Sequence, residues 1–154
     1  MSVLKKLAGQ TAIYGMSSIV ARFLNYLLVP LHTVVFVPQQ YGIITEMYAY
    51  VAFLIILLTY GMETAYFRFS TKEGQNPKTV FSTVLSSLVG STSMFILMAI
   101  VFAQPIADWL MYPDNKEYVV WFAIIVGLDA VSSIPLARLR SENRAKTFAG
   151  INIA

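Results

Sequence analysis

The sequence has 154 residues, of which 57% are hydrophobic and only 12% charged, with a formal net charge of +3; a soluble domain carries about twice that share of charged residues. Its apolar residues gather in blocks of about 20, the length that crosses a hydrocarbon core of roughly 30 Å. This argues against a soluble globular domain and for an all-α, polytopic membrane protein, while the absence of cysteine excludes thiolate metal sites and disulfides.

The chain begins MSVLKKLAGQ, with Lys5 and Lys6 ahead of an apolar run. That run is too long for the hydrophobic region of a secretory signal, and no small-residue cleavage site closes it. The first helix is therefore expected to stay in the membrane. Four long apolar segments predict helices over residues 7–37, 41–66, 80–103 and 118–139. Pro30 is expected to bend the first helix near its far end, and Pro135 is a second intramembrane breaker. Both are tolerated where neighbours or water take up the freed carbonyls.

The second and third segments are joined by STKEGQNPK, residues 70–78, a polar turn with Gly74 and Pro77 as breakers. Residues 104–117 join the third and fourth, and Pro105 and Pro113 bracket an aromatic stretch there. Trp109, Tyr112, Tyr118 and Trp121 suit a membrane–water interface, where amphipathic rings settle at headgroup level. After the basic stretch RLRSENRAKT, residues 148–154 are apolar and read as the start of a fifth helix. The expectation is an N-terminal portion of a longer transporter, with a short C-terminal tail as the plainer alternative.

Basic residues set the orientation. With the N-terminus cytoplasmic, Lys5, Lys6, Arg68, Lys72, Lys78, Arg138, Arg140, Arg144 and Lys146 all fall on the cytoplasmic side, and only Lys116 falls opposite. This is the positive-inside bias of a four-span protein. Arg22 belongs to neither side, because it lies within the first apolar run.

An intramembrane arginine is costly and needs a polar place to point. Thr11, Tyr14, Ser18, Arg22 and Asn25 follow at steps of three and four, so they share one face of a helix. Hydrogen-bonded helix packing accounts for serines and threonines in such a stripe; for Arg22, with Tyr14, Ser18 and Asn25, substrate binding is the reading preferred. Asp129 lies about 12 residues into the fourth helix, roughly 18 Å of rise, and is a candidate ion-coupling group. Arg22 and Asp129 are each expected to face the inside of a bundle, either as a pair or lining one cavity. Glu46 and Glu63 rank lower: Glu46 is expected in the first turn of the second helix, favoured by the helix dipole, and Glu63 near the cytoplasmic end. In the third helix, the rows Ser82, Ser86, Gly90 and Thr83, Ser87, Ser91 read first as close-packing faces.

No phosphate-binding loop, metal-ligand cluster or Ser/His/Asp arrangement is present, so no cofactor, no metal and no enzymatic activity are expected. The basic residues lack interleaved base-stacking aromatics, which argues against nucleic-acid binding.

The basic start LKKLAGQTAIYG, the segment SSIVAR that places Arg22, the Pro30 break and the turn FVPQQYGI together resemble the N-terminal region of polysaccharide biosynthesis flippases. These belong to the multidrug/oligosaccharidyl-lipid/polysaccharide exporter superfamily, alongside lipid II flippases and multidrug and toxin extrusion antiporters. The resemblance implies a MATE-like fold of about 12 to 14 helices in two lobes, of which these residues form most of the N-lobe. It implies a bacterial inner-membrane protein that moves an undecaprenyl-diphosphate-linked oligosaccharide from the cytoplasmic to the periplasmic leaflet. A proton or sodium gradient would be the coupling source, and a polysaccharide polymerase and glycosyltransferases the functional partners. In this reading Arg22 meets the lipid diphosphate, with which arginine forms paired charge-assisted hydrogen bonds. A multidrug or cation antiporter of the same superfamily, with Asp129 as the central acid, is the alternative, and a non-transporting membrane scaffold is a third class.

Overall fold

The computed structural model describes the backbone of residues 3–153, and within it all side chains except those of residues 3–10, 13, 14, 17, 18, 21, 25, 38–40, 44, 152 and 153. The regular elements are α1 (Val3–Val35), α2 (Pro38–Thr59), α3 (Met62–Ser70), α4 (Pro77–Val101), α5 (Ala103–Trp109), a 3-10 turn (Pro113–Asn115), α6 (Lys116–Ser141) and α7 (Ala145–Ile153). Among the described residues, three stretches are long and apolar enough to cross a membrane: Tyr41–Ser70, Pro77–Val101 and Pro113–Ser141. The chain is therefore a helical protein of multi-pass membrane type.

Two of the expected connections are shorter than the sequence suggests. Pro38 is the first residue of α2, where its missing N–H costs nothing and its fixed φ already suits a helix. The segment PQQYG is thus the first turn of α2, and Glu46 sits eight residues in, beyond the first turn where it was expected. Residues 104–117 are not a plain loop either. They hold α5 and the 3-10 turn, tied together by Gln104, whose Nε2 donates to Asp108 Oδ1 at 2.9 Å and to the Pro113 carbonyl at 3.1 Å.

The second apolar segment is broken. Its expected single helix over residues 41–66 stops at Thr59, and α3 begins at Met62. Tyr60 and Gly61 between them have φ of +31° and +75°. A glycine adopts the left-handed region freely, whereas a tyrosine does so only when its surroundings hold it there. Glu63 consequently lies in the first turn of α3, where the helix dipole favours a carboxylate.

Other boundaries follow from capping chemistry. Asn76 caps α4, its Oδ1 accepting from Lys78 N at 3.0 Å, with Pro77 as the first helical residue. Met111 and Asn143 have φ of +64° and +56°. Tyr112 N bonds the Ala107 carbonyl and Arg144 N bonds the Leu139 carbonyl, which makes both left-handed residues the closing positions of Schellman caps. Neither proline ends its helix: α1 runs through Pro30 and α6 through Pro135. Nearby hydroxyls bond carbonyls of these helices, Thr33 that of Pro30 at 2.9 Å and Ser133 that of Ala130 at 2.7 Å.

The chain divides into two compact units, Met1–Ala49 with Arg138–Ala154, and Tyr50–Ala137. In the first, α1 packs along α7, Phe148 is buried, and the Arg140 guanidinium lies 5.6 Å from the centre of its ring. Arg138 Nε bonds Glu142 Oε1 at 2.7 Å on the surface, a pair of small energetic weight in water.

The second unit holds the core. Leu58 of α2 packs with Val126 and Ala130 of α6, and in a second cluster Tyr66 of α3 packs with Val84 and Leu88 of α4 and Ile134 and Ala137 of α6. The buried seam of α6 runs Ala123, Val126, Gly127, Ala130, Ile134 and Ala137. That of α4 runs Val84, Leu88, Thr92 and Ala99. The small-residue packing row therefore lies on α6, while Ser82, Thr83, Ser86, Ser87, Gly90 and Ser91 of α4 are all exposed. Lipid is as apolar as leucine, so close packing rather than removal from water holds such helices together.

The tightest fit is at Gly127. A Cβ added there would stand 2.8 Å from Ile96 Cδ1 and 2.9 Å from Thr92 Cγ2. Gly127→Val is expected to destabilise the protein by about 1–3 kcal/mol through overpacking, measured as a lowered midpoint in detergent unfolding. Thr92 is 2% exposed and its Oγ1 has no hydrogen-bond partner among the described residues. Thr92→Val keeps the shape and removes the orphan hydroxyl, so it is expected to be neutral or stabilising by about 1 kcal/mol in the same assay.

Candidate functional site

Helix register places the ionisable groups deep. Arg22 is 13 residues before the end of α1 and Asp129 is 13 residues after the start of α6, each about 20 Å of helical rise from that end. Both side chains are exposed. Among the described residues, no other helix encloses either side chain. Asp129 lies off the α6 seam, between exposed Leu128 and buried Ala130. Thr11 is exposed like Arg22. Tyr14, Ser18 and Asn25 take their expected places along the α1 backbone, and their side chains lie outside the described residues. Arg22 belongs to one compact unit and Asp129 to the other.

The remaining acids are placed differently from one another. Glu46 is exposed on α2, and Glu63 is half-buried at the start of α3. Among the described residues no three His, Asp or Glu side chains converge as metal ligands would.

A polar group missed in the sequence reading gathers at the α2–α3 break. The Tyr60 hydroxyl lies 3.0 Å from Ser87 Oγ and 3.5 Å from Ser91 Oγ. Ser91 also donates to the Leu88 carbonyl at 3.1 Å, and Thr59 to that of Ile55 at 2.7 Å. Ser87 and Ser91 flank the midpoint of the 25-residue α4, so three hydroxyls are presented on an exposed face halfway along a membrane-length helix. The contact to α4 helps hold Tyr60 in its unfavourable backbone conformation. The sequence did carry a signal: Gly61 interrupts an apolar stretch of 30 residues, longer than one crossing requires.

Chemically these positions offer a permanent cation, a carboxylate and a set of hydroxyls, each at mid-helix depth. A guanidinium pairs with phosphate oxygens through parallel N–H donors. Hydroxyls both donate and accept, which matches the hydroxyl groups of sugars. Nothing in this set supplies an activated nucleophile or a base held against one.

No curated protein and no solved structure matches the chain. Residues 19–154 match the sequence profile of a family described as polysaccharide biosynthesis protein. The matched region takes in Arg22, Asn25, Tyr60 and Asp129 and begins after Tyr14 and Ser18. With most of its length covered by that match, the chain belongs to the polysaccharide biosynthesis protein family.

Proposed function

We propose that the chain is part of a transporter, not an enzyme, that carries an undecaprenyl-diphosphate-linked oligosaccharide from the cytoplasmic to the outer leaflet of a bacterial inner membrane. The observation that carries this reading is Arg22, a guanidinium in the middle of a 33-residue helix, with an exposed side chain and inside the family match. At that depth a cation against lipid is strongly unfavourable. Its exposed face is therefore one that further helices of a MATE-like bundle cover, leaving a wet cavity in which the diphosphate finds its counter-charge. Tyr14, Ser18 and Asn25 extend the same stripe, and the hydroxyls of Tyr60, Ser87 and Ser91 suit the sugar.

In this reading α1 is the first of four spans and the N-terminus is cytoplasmic, which the distribution of basic residues supports. A proton or sodium ion drives the cycle. The lipid-linked substrate comes from glycosyltransferases, and the product passes to a polymerase. The second reading, an antiporter for drugs or cations, is favoured by Asp129, a carboxylate at the middle of α6.

Arg22→Ala is expected to lower polymer export by about tenfold or more, the worth of one charge-assisted hydrogen bond, with drug tolerance unchanged and with Arg22→Lys retaining part of the flux. Asp129→Asn abolishing drug tolerance while export persists would favour the antiporter instead. The absence of native cysteine makes single-cysteine labelling direct. With a membrane-impermeant thiol reagent, Lys146→Cys is expected to react only from the cytoplasmic side and Lys116→Cys only from outside, and buried Val126→Cys from neither.

A further inference from the structure

At the aromatic-rich end of the second unit, a cleft of about 640 Å³ opens between the end of α4, the start of α5 and the start of α6. That volume is within the range of ligand-binding clefts, roughly 300–1,000 Å³. Its walls are apolar, formed chiefly by Ile100, Val120 and Ile124, and its rim carries Lys116 and Glu117. Gln104 also touches the cleft, but its amide N–H groups are committed to Asp108 and Pro113. Lys116 and Glu117 are both exposed, and neither forms an ion pair among the described residues.

The depth of the cleft follows from helix length. α4 ends at Val101 and α6 begins at Lys116, and both are long and apolar enough to cross a membrane, which puts the charged rim at the ends of two candidate spans. Ile124 is eight residues further along α6, about 12 Å of rise into the hydrocarbon. Trp121, 64% exposed beside the cleft, is the residue type that settles at headgroup level. One wall therefore faces acyl chains while the rim faces the headgroup layer.

We propose that this cleft binds a single zwitterionic phospholipid, with phosphate at Lys116, a primary ammonium at Glu117, and the glycerol end of an acyl chain along Ile100, Val120 and Ile124. Charge complementarity selects this occupant. Two opposite, unpaired charges on successive residues match a headgroup carrying both signs within a few atoms, and an anionic lipid leaves Glu117 opposed by like charge. The site is separate from the mid-depth groups of the transport reading and stands whether or not that reading holds.

The test uses the chain in nanodiscs of equal parts phosphatidylethanolamine and phosphatidylglycerol, with retained lipid counted by native mass spectrometry after transfer to detergent. The wild type is expected to retain phosphatidylethanolamine in excess of the bulk ratio. Glu117→Gln is expected to lower that retention by about tenfold, the worth of one charge-assisted bond, without lowering phosphatidylglycerol. Lys116→Gln is expected to lower both, as is Ile124→Trp, which fills the cleft. Soluble glycerophosphoethanolamine is expected not to displace the lipid, because it lacks the chain. Retention at the bulk ratio, preference for phosphatidylglycerol, displacement by the soluble headgroup, or an unchanged lipid ratio in Glu117→Gln would each overturn the proposal. The two rim variants alter exposed side chains, so their result stands even if Ile124→Trp does not fold.

Discussion

At Gly127 a hydrogen atom is all that fits between α6 and the side chains of Thr92 and Ile96 on α4. On the same seam of α6, Ile134 and Ala137 meet Val84 and Leu88 of α4, while Val126 and Ala130 meet Leu58 of α2. In lipid there is no gain from hiding leucine, so the contact has to come from shape. A seam of alanine and glycine on α6 against larger side chains on α4 supplies that shape. The hydroxyls at the α2–α3 break and the charged cleft are both built on α4 or on the space beside it.

Much of the architecture was legible because apolar block length and breaker residues act locally. The first, third and fourth apolar segments each became one long helix and the second became α2 and α3, while Pro77, read as a breaker, opens α4 three residues before its expected start. What escaped was set by tertiary context. Gly61 was passed over because an isolated glycine in a long apolar run is tolerated within a helix, and Thr59, Glu63 and Thr64 around it were read as part of one span. The serines of α4 were assigned to packing because small residues commonly pack, yet the helix turned its leucine and valine face inward. That choice depends on α6, whose alanines and Gly127 form the small surface, and no single helix carries the information. Glu46 was expected in the first turn because VPQQYG was read as a turn ahead of the second helix, whereas Pro38 opens that helix.

The functional residues were legible to a different degree. Arg22 and Asp129 stood out because charge is rare in apolar runs, and register puts both at mid-helix. Their surroundings could not be read, because both side chains are exposed on their helices and no periodicity within one helix says what lies against such a face. Tyr60, by contrast, is an ordinary residue in sequence. Its position at the break, and the two serines it meets from 27 and 31 residues away, emerge only when the helices are paired. Family membership agrees with a role in polysaccharide biosynthesis and assigns none of these residues a task.

The side chain of Gln104 clamps the reversal that links α4 to α6, reaching forward to Asp108 and across to Pro113. One amide thereby staples the exit of one helix to the entry of the next, and the Schellman cap at Met111 closes the corner between them. At its other end α4 is joined to α3 by residues 71–76, which turn at Gly74. The two corners are thus closed by different chemistry, a side-chain amide with a Schellman cap at one, and at the other the Thr71 hydroxyl on the Phe67 carbonyl and the Asn76 cap on α4.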